Sequence, residues 1–239
     1  MEGEHVLTGI HPVREALRAG RPLDRVLVVR GAGGGRIDEI VQMCRRQGVP
    51  LRFEPRETLD RMGGGRHQGV IGVGAAHPYA DLEKLLGTRL LVVVDGVEDP
   101  RNLGALVRTA HAAGAGGVVI PERRSAGLTG TVEKAAAGAL AYLPIARVVN
   151  VNRALETLKG HGWWIYGFDA AGEHAYDGVE YASRSALVFG GEGRGLHEQT
   201  RRRCDMLVRI PLAGRIASLN VSVAAGIALF EWKRRARSE

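Results

Sequence analysis

Leu90-Leu-Val-Val-Val-Asp-Gly-Val-Glu-Asp-Pro-Arg-Asn-Leu-Gly-Ala-Leu-Val-Arg108 is the stretch on which the fold turns. The unbroken apolar run from Leu90 to Val94 is what a strand buried on both faces of a parallel sheet requires. Leu103, Leu106, Val107 and Ala110 then recur at helical spacing. The strand-then-helix pattern continues downstream. Gly117 to Ile120, Trp163 to Phe168, Ala186 to Gly190 and Leu207 to Pro211 read as further short strands. Leu219, Val223, Ile227 and Phe230 mark a last helix, with Val223 and Ile227 expected in the core. From Arg89 onward the chain reads as an α/β domain with a parallel sheet.

Upstream, residues 1–76 read as a smaller α/β unit. Val6-Leu7-Thr8 precedes a helix from His11 to Ala19, with Pro12 near its first turn and Gly20 at its close. Arg25 to Arg30 reads as a strand. Ile37, Ile40, Val41 and Cys44 then lie at i, i+3, i+4 and i+7 of an amphipathic helix. Leu51 to Glu54 and Val70 to Val73 are short strands, and residues 77–88 carry the change of pattern and the proline of a linker. The expected domains are thus 1–76, a linker over 77–88, and 89–239.

The 239 residues hold 33 Lys plus Arg against 26 Asp plus Glu, a formal charge of +7, which favours a polyanionic partner. Four basic clusters, Arg45-Arg46, Arg123-Arg124, Arg201-Arg-Arg203 and Lys233-Arg-Arg-Ala-Arg237, suit a phosphate backbone better than a single solvated face does. The two cysteines, Cys44 and Cys204, exclude a disulfide framework, and a reducing cytoplasm is the expected home. The eight histidines lack metal-ligand spacing, so no metal is expected. No apolar run reaches the roughly 18 residues of a membrane span. Met1-Glu-Gly-Glu-His5 lacks the pattern of a signal peptide.

Polar residues past the carboxyl end of a strand in an α/β sheet are ligand-binding candidates by position. Asn102 falls at the start of the helix after Leu90 to Val94. Arg108 lies six residues on, about 120° around and roughly 9 Å along. A helix cap and a solvated arginine are the plainer alternatives. Phe189-Gly-Gly-Glu-Gly-Arg-Gly195 follows another strand. It fails the dinucleotide fingerprint, because the third glycine would fall at Leu196, and it fails the Walker pattern. What remains is a loop whose backbone approaches a ligand closely and which carries one acid, Glu192. Ile210-Pro-Leu-Ala-Gly-Arg-Ile-Ala-Ser-Leu-Asn220 leads into the last helix, with Ser218 and Asn220 as either caps or ligand contacts.

Taken together, Asp95-x-x-x-Asp99-Pro-Arg-Asn102-x-Gly104-x-x-x-Arg108, Gly190-Gly-Glu192-Gly-x-Gly195, and Ile210-Pro with Ser218-Leu-Asn220-Val-Ser-Val resemble the three motifs of the SpoU/TrmH group of SPOUT RNA 2'-O-methyltransferases. The resemblance covers Arg89 to Glu239. Thr8-Gly-Ile-His-Pro-Val-Arg and Arg66-His-Gln-Gly-Val70 resemble the small ribosomal-protein-like RNA-binding domain of the RlmB branch, which methylates a guanosine ribose of 23S rRNA.

The resemblance implies a C-terminal parallel-sheet domain with a trefoil knot, S-adenosylmethionine as methyl donor, and a homodimer. It implies donor contacts at Phe189, Gly190, Gly191, Glu192, Gly193, Ile210, Pro211, Leu212, Ser218, Leu219 and Asn220. The catalytic set it implies is Arg108, Asn102, Glu192, Ser218 and Asn220. RNA contacts are expected at Arg66, His67 and Gln68, as an exposed loop, and at Arg123 and Arg124. Relatives often carry Lys-Ala-Ser-Ala-Gly-Ala where this chain has Lys134-Ala-Ala-Ala-Gly-Ala139, so Ala136 lacks that hydroxyl. A tRNA ribose methyltransferase and an rRNA-binding assembly factor without the chemistry are the rival readings.

Overall fold

The structure, a computed structural model, describes residues 5–21, 23–74, 77–191, 195–214 and 218–236. The chain divides into two compact units. One comprises Met1–Pro78 together with Leu128–Tyr142; the other comprises Tyr79–Gly127 and Leu143–Glu239. The contiguous division expected from the sequence therefore misses a segment of 15 residues that packs with the N-terminal unit.

In the first unit, strands β1 (His5–Thr8), β2 (Leu23–Val29), β3 (Leu51–Glu54) and β4 (Val70–Gly74) form a sheet in the order β1-β4-β2-β3. β4 runs antiparallel to both β1 and β2, and β2 runs parallel to β3. Alternating side chains divide the sheet between two layers. Val26, Val28 and Val70 pack with Val13 and Leu17 of α1 (Ile10–Arg18) and with Ile37 and Ile40 of α2 (Gly35–Gln47). Leu27, Ile71 and Val73 pack instead with Leu59 of α3 (Arg56–Gly63), a helix the sequence reading did not find.

The distant segment of this unit contributes α5 (Gly130–Ala136), which packs beside the edge strand β1. Covering an edge in this way blunts its tendency to pair with other chains. Arg21 Nη1 donates to Glu133 Oε1 at 2.7 Å, with both side chains nearly buried. The Tyr142 hydroxyl donates to Glu15 at 2.7 Å.

In the second unit, β5 (Leu90–Asp95), β6 (Gly117–Pro121), β7 (Ile145–Val148), β8 (Trp164–Phe168), β9 (His174–Ala175), β10 (Ser185–Gly190) and β11 (Met206–Arg209) form one sheet. Its order is β7-β6-β5-β10-β8-β11-β9, and every pairing is parallel. Every residue of β5 is buried. α4 (Pro100–Ala113) packs against α8 (Val221–Ala236), and Leu155 and Leu158 of α6 (Val151–Gly160) enter the core with Leu91, Val93 and Val188. A one-turn helix, α7 (Glu198–Arg201), precedes β11.

The buried stripe of α8 is Val221, Ala225, Ala228, Leu229 and Trp232, while Val223 and Phe230 are half exposed. The expectation that Val223 belongs to the core is therefore corrected. α8 is apolar on more than one side, so periodicity alone cannot tell which side meets the sheet. Both thiols are free, and burial pushes Cys44 up to about 11 and Cys204 up to about 12, which keeps them protonated and inert at neutral pH. No helix among the described residues is long and apolar enough to cross a membrane.

Candidate active site

The chain lays β5, β6 and β7 outward in one direction, then crosses to β8 and fills the gap with β10 between β5 and β8. Strand order thus reverses at the β5–β10 junction, and ligands bind outside the carboxyl ends of strands at such a switch point. Two cavities open there.

The first, of about 360 Å³, lies at the carboxyl ends of β8, β10 and β11. Phe189, Gly190, Gly191, Ile210, Leu212, Ser218 and Leu219 line it, as the motifs lead one to expect. Phe168 and Phe189 stack there with ring centroids 4.9 Å apart. Pro211 and Asn220, also expected at the donor, are exposed and are not among its lining residues. The cavity also holds a pair the sequence reading missed: Arg201 Nη2 donates to Asp169 Oδ2 at 2.8 Å. Asp169 directly follows β8, so the rule that ligands gather at strand carboxyl ends had already pointed to it. Glu192 and Gly193 lie outside the described residues.

The second cavity, of about 460 Å³, is lined by Asp95, Gly96, Asp99, Asn102, Arg124 and His197 among others, and it shares Gly191 and Gly195 with the first. The two glycines at the end of β10 are there because backbone leaves no room for a side chain. A Cβ at Gly190 would stand 2.0 Å from the Gly195 carbonyl oxygen, and one at Gly191 would stand 2.1 Å from the Gly96 carbonyl oxygen. The close approach expected toward a ligand is in the first place an approach of loop to loop.

Asp99 caps α4 by accepting from the Arg101 N–H at 2.7 Å, which frees Asn102 from the capping role it was a candidate for. Asn220 caps α8: its Oδ1 accepts from the Ser222 N–H at 2.9 Å, while its Nδ2 donates to Asn102 Oδ1 at 2.9 Å. The structure thus joins Asn102 and Asn220 directly. Arg108 is exposed, makes no hydrogen bond or ion pair with a described residue, and lines neither cavity.

In the first unit, Arg66 and Gln68 are exposed, but His67 is fully buried. Its Nδ1 accepts from the Gly69 N–H at 2.9 Å and its Nε2 lies 3.0 Å from Asp60 Oδ1. His67 builds the turn before β4, and the expectation that it faces RNA is corrected: a buried imidazole bonded at both nitrogens has nothing left to offer a ligand. No cluster of metal-ligating side chains occurs among the described residues.

The 360 Å³ cavity is an apolar slot, edged by backbone groups and walled on one side by the Asp169–Arg201 pair, the build of a small-molecule site. The stacked phenylalanines make its apolar wall, and its backbone carbonyls are the groups open to positive charge, since the Asp169 carboxylate is paired with Arg201. A parallel α/β sheet with this slot at its switch point, and a second cavity sharing its wall, defines the class of α/β proteins that bind small ligands at the strand carboxyl ends.

Comparison with known proteins narrows the class. The SpoU rRNA methylase family matches residues 89–230, and the RNA 2'-O ribose methyltransferase substrate-binding family matches residues 6–80. A Bacillus subtilis (strain 168) protein assigned to the TrmH family of tRNA/rRNA methyltransferases, YacO, is 38% identical over 234 residues, covering 95% of this chain and 94% of its own. Among solved structures, the AdoMet-bound rRNA methyltransferase of Sinorhizobium meliloti aligns with a TM-score of 0.81 at 27% identity, over 97% of this chain and 87% of that one. The SpoU methyltransferase AviRb of Streptomyces viridochromogenes, in complex with AdoMet, has the same fold, with a TM-score of 0.86 at 24% identity over 99% and 92% of the two chains.

The chain belongs to the SpoU/TrmH family of SPOUT methyltransferases. It is an S-adenosylmethionine-dependent RNA 2'-O-ribose methyltransferase with a small N-terminal substrate-binding domain.

Proposed function

We propose that the protein methylates the 2'-hydroxyl of a guanosine in 23S rRNA, with the donor in the 360 Å³ cavity and the acceptor ribose in the 460 Å³ cavity. The observation that carries the reading is the wall the two cavities share, Gly191 and Gly195, with Asn102 on the acceptor side. When bound, S-adenosylmethionine supplies an electrophilic methyl group on a sulfonium. The protein's task is then to align the hydroxyl with that carbon and to stabilise charge developing on the oxygen.

In this reading Asn102 holds the ribose and Asn220 holds Asn102. Backbone groups from Phe189 to Gly193 and from Ile210 to Leu212 hold the donor, together with Ser218 and Leu219, and Glu192 completes the polar set. Arg108 orients and polarises the hydroxyl. It is no general base, because a guanidinium stays protonated in proteins. Since Arg108 lines neither cavity of its own chain, it serves the acceptor cavity of a second copy. The half-exposed Val223 and Phe230, one face of α8, support such a homodimer. The trefoil knot of the SPOUT class belongs to the same reading, supported by the seating of β10 between β5 and β8. Free, protonated Cys44 and Cys204 suit the cytoplasm.

The first unit selects the RNA, with Arg66 and Gln68 as contacts, and Arg123 and Arg124 add affinity from the second. Because Leu128–Tyr142 packs with the first unit, replacing Arg66 and Gln68 is a cleaner test of selection than deleting residues 1–76. The decisive experiment maps ribose methylation in total RNA from a strain lacking the gene. Loss of one 2'-O-methylguanosine in 23S rRNA is the expected result. Loss at a tRNA ribose would move the substrate, and an unchanged methylation map would leave only a binding role. For the chemistry, Arg108→Ala should keep donor affinity and RNA binding while losing methyl transfer; near-normal turnover would sink its assignment.

A further inference from the structure

Beyond the donor and acceptor cavities lies a third, of about 290 Å³, at the carboxyl ends of β6 and β7 and the first turn of α6. It shares Asp95, Gly96, Arg124 and His197 with the acceptor cavity, so donor, acceptor and third cavity follow one another along the top of the sheet. Nothing in the methyl-transfer chemistry uses its far wall, which is built from Arg123, Val149, Asn150 and Asn152.

The hydrogen bonds already made by that wall define what it will accept. Asn150 Oδ1 is occupied by the Arg153 N–H at 3.2 Å as the cap of α6. Asn152 Oδ1 accepts from the Thr200 hydroxyl at 3.3 Å. Each amide oxygen already accepts one bond, while the NH₂ group of each side chain supplies two donors. Arg123 and Arg124 are exposed and make no hydrogen bond or ion pair with a described residue.

The carboxylate in the lining, Asp95, is taken by His197: its Oδ2 lies 2.9 Å from Nδ1 and 3.2 Å from the backbone nitrogen of that residue. The wall therefore presents donors, reinforced by the positive end of the α6 dipole. Val149, 81% exposed, adds an apolar surface. Arg124 is held at φ 57°, a left-handed conformation that a side chain of this size rarely adopts.

We propose that this cavity binds the nucleotide adjoining the methylated one, and that it is a determinant of which RNA sequence is modified. Its phosphate sits on Arg123 and Arg124, the acceptor atoms of its base face the NH₂ groups of Asn150 and Asn152, and the base lies against Val149. The His197 ring, pinned by Asp95, divides this nucleotide from the acceptor ribose. The proposal rests on the reading of the neighbouring cavity as the acceptor site.

The test uses the full-length protein and whichever transcript, 23S rRNA or tRNA, the unmodified protein methylates, with donor affinity measured alongside by calorimetry. Arg123→Ala/Arg124→Ala should raise the KM for RNA at least tenfold and flatten the salt dependence of RNA binding by one to two phosphate contacts, with donor Kd unchanged. Asn152→Ala, checked for folding by circular dichroism, should raise the RNA KM about fivefold and leave the salt slope unaltered, since it addresses a base. An RNA KM within twofold of the parent for both variants overturns the proposal, as does a parallel loss of donor affinity. If the parent protein methylates neither transcript, the acceptor reading itself has failed, and the proposal falls with it.

Discussion

Asn220 Nδ2 donates to Asn102 Oδ1 at 2.9 Å, and this bond ties the first turn of α8 to the first turn of α4. Asn102 lines the 460 Å³ cavity, proposed above for the acceptor, while Ser218 and Leu219, just before Asn220 in sequence, line the 360 Å³ cavity proposed for the donor. One amide thus links the walls of the two cavities. Its orientation is fixed because Oδ1 also accepts from the Ser222 N–H and hydroxyl.

Replacing Asn220 with alanine removes a helix cap as well as the bridge. A stability loss of about 1 kcal/mol is expected from the cap. The bridge should show itself separately, as a fall of tenfold or more in kcat at saturating donor. Asn220→Asp keeps the cap acceptor but not the donor to Asn102, so it should restore stability and not turnover. Denaturant titration and single-turnover methyl transfer distinguish the two effects.

Gly191→Ala places a methyl group 2.1 Å from the Gly96 carbonyl oxygen, a backbone atom that no rotamer change can move aside. The β5 and β10 loops must part. Strain of about 1–3 kcal/mol is expected, along with a donor affinity at least tenfold weaker, measured by calorimetry. The outward-facing Gly214, with nothing near its hypothetical Cβ, should tolerate alanine with little effect on folding.

Arg21 and Glu133, 112 residues apart in sequence, form a nearly buried ion pair within the first unit. Removing one partner takes the 2.7 Å ion pair from a charge that stays nearly buried. Glu133→Leu should therefore destabilise by about 3 kcal/mol or more, whereas Arg21→Met/Glu133→Leu together should recover most of that loss. Chemical denaturation of the three proteins checks the cycle.

Hydrogen bonds from Arg234 and then Arg235 hold the Glu231 carboxyl down to about 2, below its ordinary 4.5. A carboxyl with a depressed folded-state pKa stabilises fully above its unfolded pKa, and that stabilisation disappears as pH falls through the folded value. The parent should exceed Glu231→Gln by a constant margin from pH 7 to about pH 5, and the margin should vanish toward pH 2. With Arg234 62% exposed, screening limits the margin to about 1 kcal/mol. Urea denaturation across that pH range reads it out.

The sequence made the parallel strands legible because Leu90 to Val94 and Ala186 to Gly190 are apolar without a break, as burial on both faces demands. It concealed β7 and β9, four and two residues long, whose pairing is decided by neighbours distant in the chain. Seven of the eleven residues that the motifs offer as donor contacts line the 360 Å³ cavity, because they sit on loops at strand carboxyl ends. The bond between Asn102 and Asn220 was not, because no spacing rule relates positions 118 apart. His67 stood in a polar, Gly-rich stretch that reads as exposed. Its burial follows from the partners at both ring nitrogens, Asp60 and Gly69, which only the folded turn brings within reach.

The segment Leu128–Tyr142, which covers the edge of β1, has a consequence for how this protein can be taken apart. The substrate-binding unit is not a cassette at one end of the chain, because a piece of it is encoded inside the methyltransferase half. Grafting residues 1–78 alone onto another catalytic domain would leave Arg21 facing a foreign surface and β1 with a bare edge. A chimera meant to change the RNA target should carry α5 and its flanks along with the N-terminal residues, as two exchanged stretches and not one.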